Sequence, residues 1–530
     1  MEAAQAVKKA SPLAIVMSCF AAFGGYDTGY IAGVKEMAYF LTLFGDPTGD
    51  PAQPFRLSSG TDSLITSILS AGTFVGAISS FTAGDWLGRR LGIAFYLVFF
   101  VIGVILQVAA TDVPLFAVGR VFAGLGVGGV SCLVPLYQSE TAPRFLRGAI
   151  VSGYQWMITL GLLVAALICF GTRNMDNTGC YRIPIGLQFA WALILGGGMM
   201  LLPESPRWLL MRGKEEKAQA AIARIMNKAL DSPEVNEEYA EIAANLHHER
   251  AVGATSYLAC FTMGPGKNAQ RTLTGCALQA LQQLSGINFI IYYGTQFFTN
   301  VGLGDAYVTQ IITNAVNFAT TPPGMWAVDH LGRRPLLLTG AAGMCVSQFI
   351  VAILGSTTST DNLPAQRALI AFVCIFIAFF ASTFGPGAWV VTGEIYPTSI
   401  RGKAMSLSTA TNWLVNFALG YATPYMVNDV PGSAGLGTKV FYIWGSCCAL
   451  AFVFTFFCIP ETKGLSLEQV DILYRKSSIL GSSKFRKEII ENNLYDDDKE
   501  AYANQPSKIK GNAQHNEKVE DREPEMRDLA

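Results

Sequence analysis

The sequence predicts an all-α polytopic membrane protein: twelve transmembrane helices in two pseudo-symmetric six-helix bundles. Three observations carry that expectation. Of 530 residues, 51% are apolar and only 15% charged, with a mean hydropathy of +0.35, against roughly 25% charged in soluble domains. Apolar runs recur at the length of a membrane span, about 20 residues. Three polar signals in the first half return in the same order in the second. The net charge of −1 gives no basic surface for nucleic acid. The eleven cysteines show no CxxC or His-rich spacing and read as reduced packing residues, neither metal ligands nor a disulfide framework. The apolar run over 10–33 is too long for a signal-peptide core, and a second span follows, so no cleavable leader is expected. No Asn-x-Ser/Thr sequon occurs, so N-glycosylation is not expected.

Spans are expected near 12–33, 61–83, 93–110, 114–136, 148–170 and 183–202, then near 271–300, 305–328, 336–355, 367–392, 404–427 and 438–459. This gives a short N-terminus over 1–11, a first bundle over 12–202, a linker over 203–270, a second bundle over 271–459 and a tail over 460–530. The linker alternates polar and apolar residues as short amphipathic helices do. The tail is mixed in charge, with Asp496-Asp497-Asp498, and is expected to be disordered toward its end. Arg89-Arg90, Arg144, Arg147, Arg333-Arg334, Arg401 and Lys403 fall on one side. The positive-inside rule makes that side, with both termini, cytoplasmic.

The repeat is made of three pairs. Gly84-Asp85-Trp86-Leu87-Gly88-Arg89-Arg90 returns as Asp329-His330-Leu331-Gly332-Arg333-Arg334. Glu140 with Arg147 returns as Glu394 with Arg401, and Pro203-Glu204-Ser205-Pro206-Arg207 as Pro460-Glu461-Thr462-Lys463-Gly464. Three matches in register indicate a duplicated six-helix unit. Gly88 and Gly332 suit tight interhelical turns at Asp85 and Asp329. The neighbouring arginines can pair with Glu140 and Glu394 or cap helix C-termini, and such pairs are expected to latch the two halves together.

The most informative stretch is Gln282-Gln283-Leu284-Ser285-Gly286-Ile287-Asn288, inside an apolar run. Polar groups at membrane depth face a cavity or pathway. On an unbroken helix Gln282 and Asn288 would point about 120° apart. A break at Ser285-Gly286 would turn both amides to one place, as discontinuous helices do in transporters. Uncharged donors and acceptors suit a neutral polyhydroxyl ligand better than an ion. Glutamine and asparagine also serve as glue between helices. Two charges sit within spans, Asp27 in the first and Arg120 in the fourth. Either alone costs about 2.5–3.5 kcal/mol at the bilayer centre, so the two are expected to pair. A carboxyl that gains and loses such a partner ties protonation to conformation; a fixed ion pair is the plainer alternative.

Together these motifs resemble the sugar porter family of the major facilitator superfamily, with fungal hexose (glucose) transporters most similar. GDWLGRR, PESPRWLL, QQLSGIN, DHLGRRP, GPGAW, EIYPTSIR and PETKG carry the resemblance, which covers about 12–470. It implies the major facilitator fold and a central sugar site. The implied contacts are Gln155, Gln282, Gln283, Asn288, Asn317, Trp389, Asn412 and Trp413. It makes Asp27 and Arg120 the proton-coupling pair, since facilitative mammalian glucose transporters lack that acid. The implied cytoplasmic latch is Asp85, Arg89, Arg90, Glu140, Arg147, Asp329, Arg333, Arg334, Glu394 and Arg401. Two positions depart from relatives: Ala381, where mammalian members carry glutamate, and Phe384, where many fungal members carry tryptophan. The expected function is monosaccharide transport by alternating access as a proton symporter. It needs no cofactor or metal and is expected to work as a monomer in the plasma membrane bilayer. Alternatives are a uniporter, a non-transporting sensor and a permease for a quinate-like polyol acid. No nucleophile–base pair, metal-ligand cluster or phosphate loop suggests an enzyme.

Overall fold

The computed structural model describes residues 24–491, apart from 51–52, 142–146, 253–255, 265, 301–304, 359–361, 398, 429–431 and 466. Helix α1 over 24–34 runs into α2 (Ala38–Phe44) and a hairpin of β1 (Asp46–Asp50) and antiparallel β2 (Gln53–Arg56). Then follow α3 (Ser59–Leu87), α4 (Arg89–Ala109), α5 (Val113–Thr141), α6 (Arg147–Thr172), and α7 (Gly179–Gly186) continuing into α8 (Gln188–Leu201). Three short helices, α9 (Pro206–Met211), α10 (Glu215–Met226) and α11 (Pro233–Val252), fill the connection between the bundles.

The second bundle has α12 (Asn268–Leu284), α13 (Ile287–Asn300), α14 (Ala306–Leu331), α15 (Arg333–Thr357), α16 (Leu363–Ser382), α17 (Phe384–Glu394), α18 (Arg401–Val427) and α19 (Val440–Cys458). The pairs α7/α8, α12/α13 and α16/α17 each make one pass, so the described residues hold twelve. The hairpin marks one membrane face; α9–α11 mark the other, called here the linker face.

Eight passes are long and apolar enough to cross a membrane. The remaining four are α1, α12/α13, α14 and α18. These helices bring Asp27, the amides and the polar seam between the halves. Only 24–34 of α1 is described; the lower hydropathy of the other three follows from facing protein rather than lipid. Within the first bundle, small residues let helices approach closely: a Cβ on Gly72 would lie 2.5 Å from the Val121 carbonyl oxygen, and one on Gly124 2.2 Å from that of Leu69. The halves meet where α18 packs along α3 and α14 along α6.

The hairpin and α2 lie between the first two expected spans and were not anticipated. The tail begins with two further helices. It carries α20 (Leu467–Lys476) and α21 (Ser482–Glu491), whose Ile472, Leu473 and Ile489 bury one another. An apolar stripe at helical spacing within a charged stretch accounts for this. The Asp496–Asp498 run is outside the described residues. The ten described cysteines are all free.

The break between α12 and α13 falls at Ser285-Gly286, with Gly286 at φ +83°. A Cβ there would sit 2.6 Å from Trp444 Cγ. Gly286→Ala therefore meets both left-handed strain, about 1–2 kcal/mol, and overpacking, about 1–3 kcal/mol. The variant should melt several degrees lower in detergent than the parent; an unchanged melting curve would mean that the break tolerates an ordinary residue.

Candidate functional site

The broken helix gathers its amides into one network. Gln282 Nε2 donates to the Phe384 and Gly385 carbonyls at 2.9 and 3.2 Å, backbone exposed where α17 starts afresh after Thr383. Asn412 of α18 donates to Gln282 Oε1 at 2.9 Å and to Gln279 Oε1 at 2.7 Å. Its own Oδ1 accepts from Gln283 Nε2 at 2.9 Å. Gln283 Oε1 accepts from Asn288, across the break, and from Asn416 at 3.3 Å. Ser70 of α3 donates to Asn416 Oδ1 at 2.8 Å, so the network reaches the other half. At the break itself, Gln348 of α15 caps the freed Ser285 carbonyl at 2.6 Å.

Four of the expected contacts, Gln282, Gln283, Asn288 and Asn412, are thus brought together directly. Gln155 of α6 faces them from the first half: a Cβ on Gly385 would lie 3.8 Å from its Nε2. Asn317 is buried on α14, next to Phe318, whose ring stacks on Trp156 at 5.3 Å. Trp389 and Trp413 are half-buried, and Trp413 Nε1 has no hydrogen-bond partner among the described residues. Gln279 and Asn416 escaped the sequence reading. Their signal was spacing: Gln279 stands three residues before Gln282 and Asn416 four after Asn412, on the same helix faces.

From mid-depth to the hairpin face the halves are closed on each other. Trp156 donates to the Phe318 carbonyl at 3.2 Å, Ser63 to that of Tyr421 at 2.7 Å and Tyr307 to that of Gly33 at 2.8 Å. Arg173 pairs with Asp305 at 2.5 Å at the rim.

Asp27 and Arg120 are both fully buried, but they are not joined as expected. Arg120 Nη1 donates instead to the Tyr30 hydroxyl at 2.8 Å, which donates to Gln107 Oε1 at 2.5 Å. Both Asp27 oxygens, and Arg120 Nε and Nη2, have no hydrogen-bond partner among the described residues. Tyr30 takes one of the three guanidinium nitrogens, and the carboxylate takes none. Gln188 of α8, beside Tyr30, is a further buried polar group of this bundle.

The linker face shows the duplicated motif as a duplicated structure. Arg89 grips Glu140 with two bonds of 3.0 and 2.9 Å and also reaches Asp85 at 3.2 Å. Arg333 grips Glu394 through Nε and Nη2, the closest at 2.7 Å. Ser205 and Thr462 each donate to the matching glutamate. Glu204 accepts the backbone N–H groups of Arg89 and Arg90, and Glu461 those of Arg333 and Arg334. Each carboxylate therefore sits at a helix N-terminus, where its charge is favourable. Gly88 and Gly332, at φ +94° and +98°, leave it room. Arg90 and Arg334 cap the carbonyls of Met200 and Phe456, ends of α8 and α19.

The described pairs, Arg89 with Glu140 and Arg333 with Glu394, each close within one half and brace that bundle rather than join the two. Glu140 and Glu394 are held by Arg89 and Arg333. Arg401 opens α18. The side chains of Arg147 and Asp329 are outside the described residues.

Comparison with known proteins agrees with this architecture. The family described as "Sugar (and other) transporter" matches residues 13–474. The chain is 50% identical over 474 residues to the major facilitator-type transporter ecdD of Aspergillus rugulosus, covering 87% of each. It is 43% identical to the probable glucose transporter rco-3 of Neurospora crassa over 89% of this chain and 80% of that one. It is 40% identical to the high glucose sensor RGT2 of Saccharomyces cerevisiae over 91% of this chain and 63% of the sensor. Among solved structures, the proton:xylose symporter XylE bound to 6-bromo-6-deoxy-D-glucose superposes with a TM-score of 0.73 at 27% identity, covering 88% of this chain and 99% of that one. With the family match over nearly the whole chain and these relatives, this chain belongs to the sugar transporter family of the major facilitator superfamily.

Proposed function

We propose that the protein carries a monosaccharide, a hexose such as glucose with xylose as the second candidate, by alternating access as a proton symporter. The observation that carries the sugar reading is the network of Gln279, Gln282, Gln283, Asn288, Asn412 and Asn416. It offers neutral donors and acceptors at membrane depth, on a helix broken beside them. Without a ligand these groups satisfy one another. Hydroxyls of a sugar can replace those bonds one for one, whereas an ion would meet no opposite charge among them. Gln155 supplies the first half's side, and Trp389 and Trp413 supply flat faces for the sugar's C–H surface. The cell surface is the expected location, with the linker face cytoplasmic because it carries the arginines of both repeats. Uptake of radiolabelled glucose and xylose in cells without their own carriers tests the reading. Binding without uptake would point to a sensor.

Symport is favoured over uniport by the buried carboxyl of Asp27, which has no hydrogen-bond partner among the described residues while Arg120 of the same bundle bonds Tyr30. An arginine shared between Tyr30 and a buried acid can change partner as the bundle rearranges, and with it the field on the carboxyl. A ligand drives such a cycle only through different affinity for the two states.

Removing one amide leaves its buried partners unpaired, at about 1–3 kcal/mol each. Gln283→Ala and Asn288→Ala should therefore raise the apparent KM by about tenfold or more, with normal membrane insertion. Unchanged affinity in both would return these residues to helix–helix glue.

Asp27→Asn should abolish accumulation against a gradient, and the alkalinisation that accompanies it, while sugar counterflow persists. Accumulation surviving in this variant would place coupling elsewhere. The rim pair does not confuse the assay. Arg173 holds Asp305 below the usual carboxylate range, so this pair is formed above that range and lost only as pH falls through Asp305's lowered value. A pH dependence of uptake between about 5 and 7 therefore has its origin elsewhere.

A further inference from the structure

Lys35 follows α1 at the hairpin end and is 1% exposed. Its ammonium bonds Asp62, in the first turn of α3, at 2.5 Å, and Thr66 at 2.9 Å. These partners belong to the first half. The third comes from the second: the ring of Tyr293 on α13 covers the ammonium, 4.0 Å from Nζ to the ring centroid. Tyr293 is itself fixed by its hydroxyl, which donates to the Gly420 carbonyl of α18 at 2.6 Å. One turn earlier on α13, Asn288 belongs to the amide network, and Tyr292 donates to Asn416 at 3.2 Å.

We propose that Lys35 is the positioning residue of the hairpin-face gate. Asp62 holds its ammonium as a seat, and Tyr293 docks on that seat when the broken helix closes over the amide site. The inference rests on the alternating-access reading and adds a gate component to it. An ion pair this buried is a weak source of stability, because desolvation offsets its attraction, and it serves better as a register or switch. Here the desolvation happens only when the halves meet. Parting them at this face removes the ring and admits water to both charges. The closed state therefore depends on two matched conditions: Asp62 must neutralise the cation, and an aromatic face rather than an aliphatic side chain must cover it. Because α13 bears Asn288, Tyr292 and Tyr293 on little more than one turn, a ligand that reorganises the amides also moves the ring. That links site occupancy to closure without any charge in the site.

The test uses the full chain in nanodiscs, where both faces are accessible, with Ser63→Cys as a reporter. Ser63 is fully buried in the closed seam against Tyr421. The rate of its modification by a hydrophilic maleimide is read over the background of the chain without the reporter. Lys35→Met keeps the side chain's bulk and leaves Asp62 buried without its cation. It should raise the labelling rate, and lower uptake in cells, by about tenfold or more. Lys35→Met with Asp62→Asn removes both charges and should bring labelling back to within about threefold of the parent. Tyr293→Leu should raise labelling when Lys35 is present and add little to Lys35→Met, since both variants act on one contact. The proposal is overturned if the single variants leave labelling unchanged. It is equally overturned if the double variant labels as fast as Lys35→Met, or if Tyr293→Leu adds its full effect to Lys35→Met. Labelling is read without sugar, so its outcome is independent of which sugar the protein carries or whether a proton accompanies it.

Discussion

At membrane depth a polar group must find its partner inside the protein, and the amide cluster at the α12/α13 break is where this constraint governs the rest of the structure. Breaking a helix there frees backbone groups as well as adding side chains. The Ser285 carbonyl is taken by Gln348, and those of Phe384 and Gly385 by Gln282. α15 and α17 are thereby fixed against α12 by the same need that makes the site polar. A second break, at Thr383, supplies the acceptors that the first requires. The result is a cluster whose polar groups satisfy one another, so under the proposed function a ligand there gains only the difference between its own hydrogen bonds and those it displaces.

The braces at the linker face solve the opposite problem, rigidity within a half. Four interactions converge on one short turn in each repeat: a glycine with positive φ, a glutamate capping the next helix, an arginine gripping a second glutamate, and a neighbouring arginine capping the last helix of the bundle. Bonds to charged groups contribute about 1.5–3 kcal/mol each, and the two arginine–glutamate grips each lie within one bundle. Each bundle can therefore move as a body while its own bonds remain intact. The linker joins this scheme through Trp208 and Arg212, which donate to the Asp85 carbonyl. The tail does so through Arg271, whose buried guanidinium reaches Asp471 at 2.6 Å and packs on Tyr474.

Most of the fold was legible because the bilayer imposes length and polarity on each pass, and because the repeat gives every signal twice. The break was legible from Ser285-Gly286 between amides that a continuous helix would point apart. What escaped the sequence reading depends on partners chosen in three dimensions. The arginines beside Asp85 and Asp329 were expected to meet Glu140 and Glu394, and Arg89 and Arg333 do, but nothing in the spacing showed that each pair would close inside one bundle. Two buried charges in one bundle suggested a direct ion pair, yet a tyrosine one turn from Asp27 took the arginine. Lys35 drew no attention because a lysine at a helix end reads as a topology signal, and nothing local reveals that Asp62 and Tyr293 enclose it.

The seam between the halves differs in kind from either brace. Toward the hairpin face it is made chiefly of hydroxyl-to-carbonyl and indole-to-carbonyl bonds, each worth about 0.5–1.5 kcal/mol net, and of close packing such as Gly420 against Ser67. Such bonds exchange readily for bonds to water when the surfaces part, so opening has a modest cost and little dependence on salt. Charge enters the seam sparingly. The exposed Arg173–Asp305 pair is screened and weak, while Lys35 is covered but neutralised from its own side. A carrier that must visit both states needs neither to be deep, and a seam built mainly from neutral bonds keeps the two within reach of the binding energy of one small ligand.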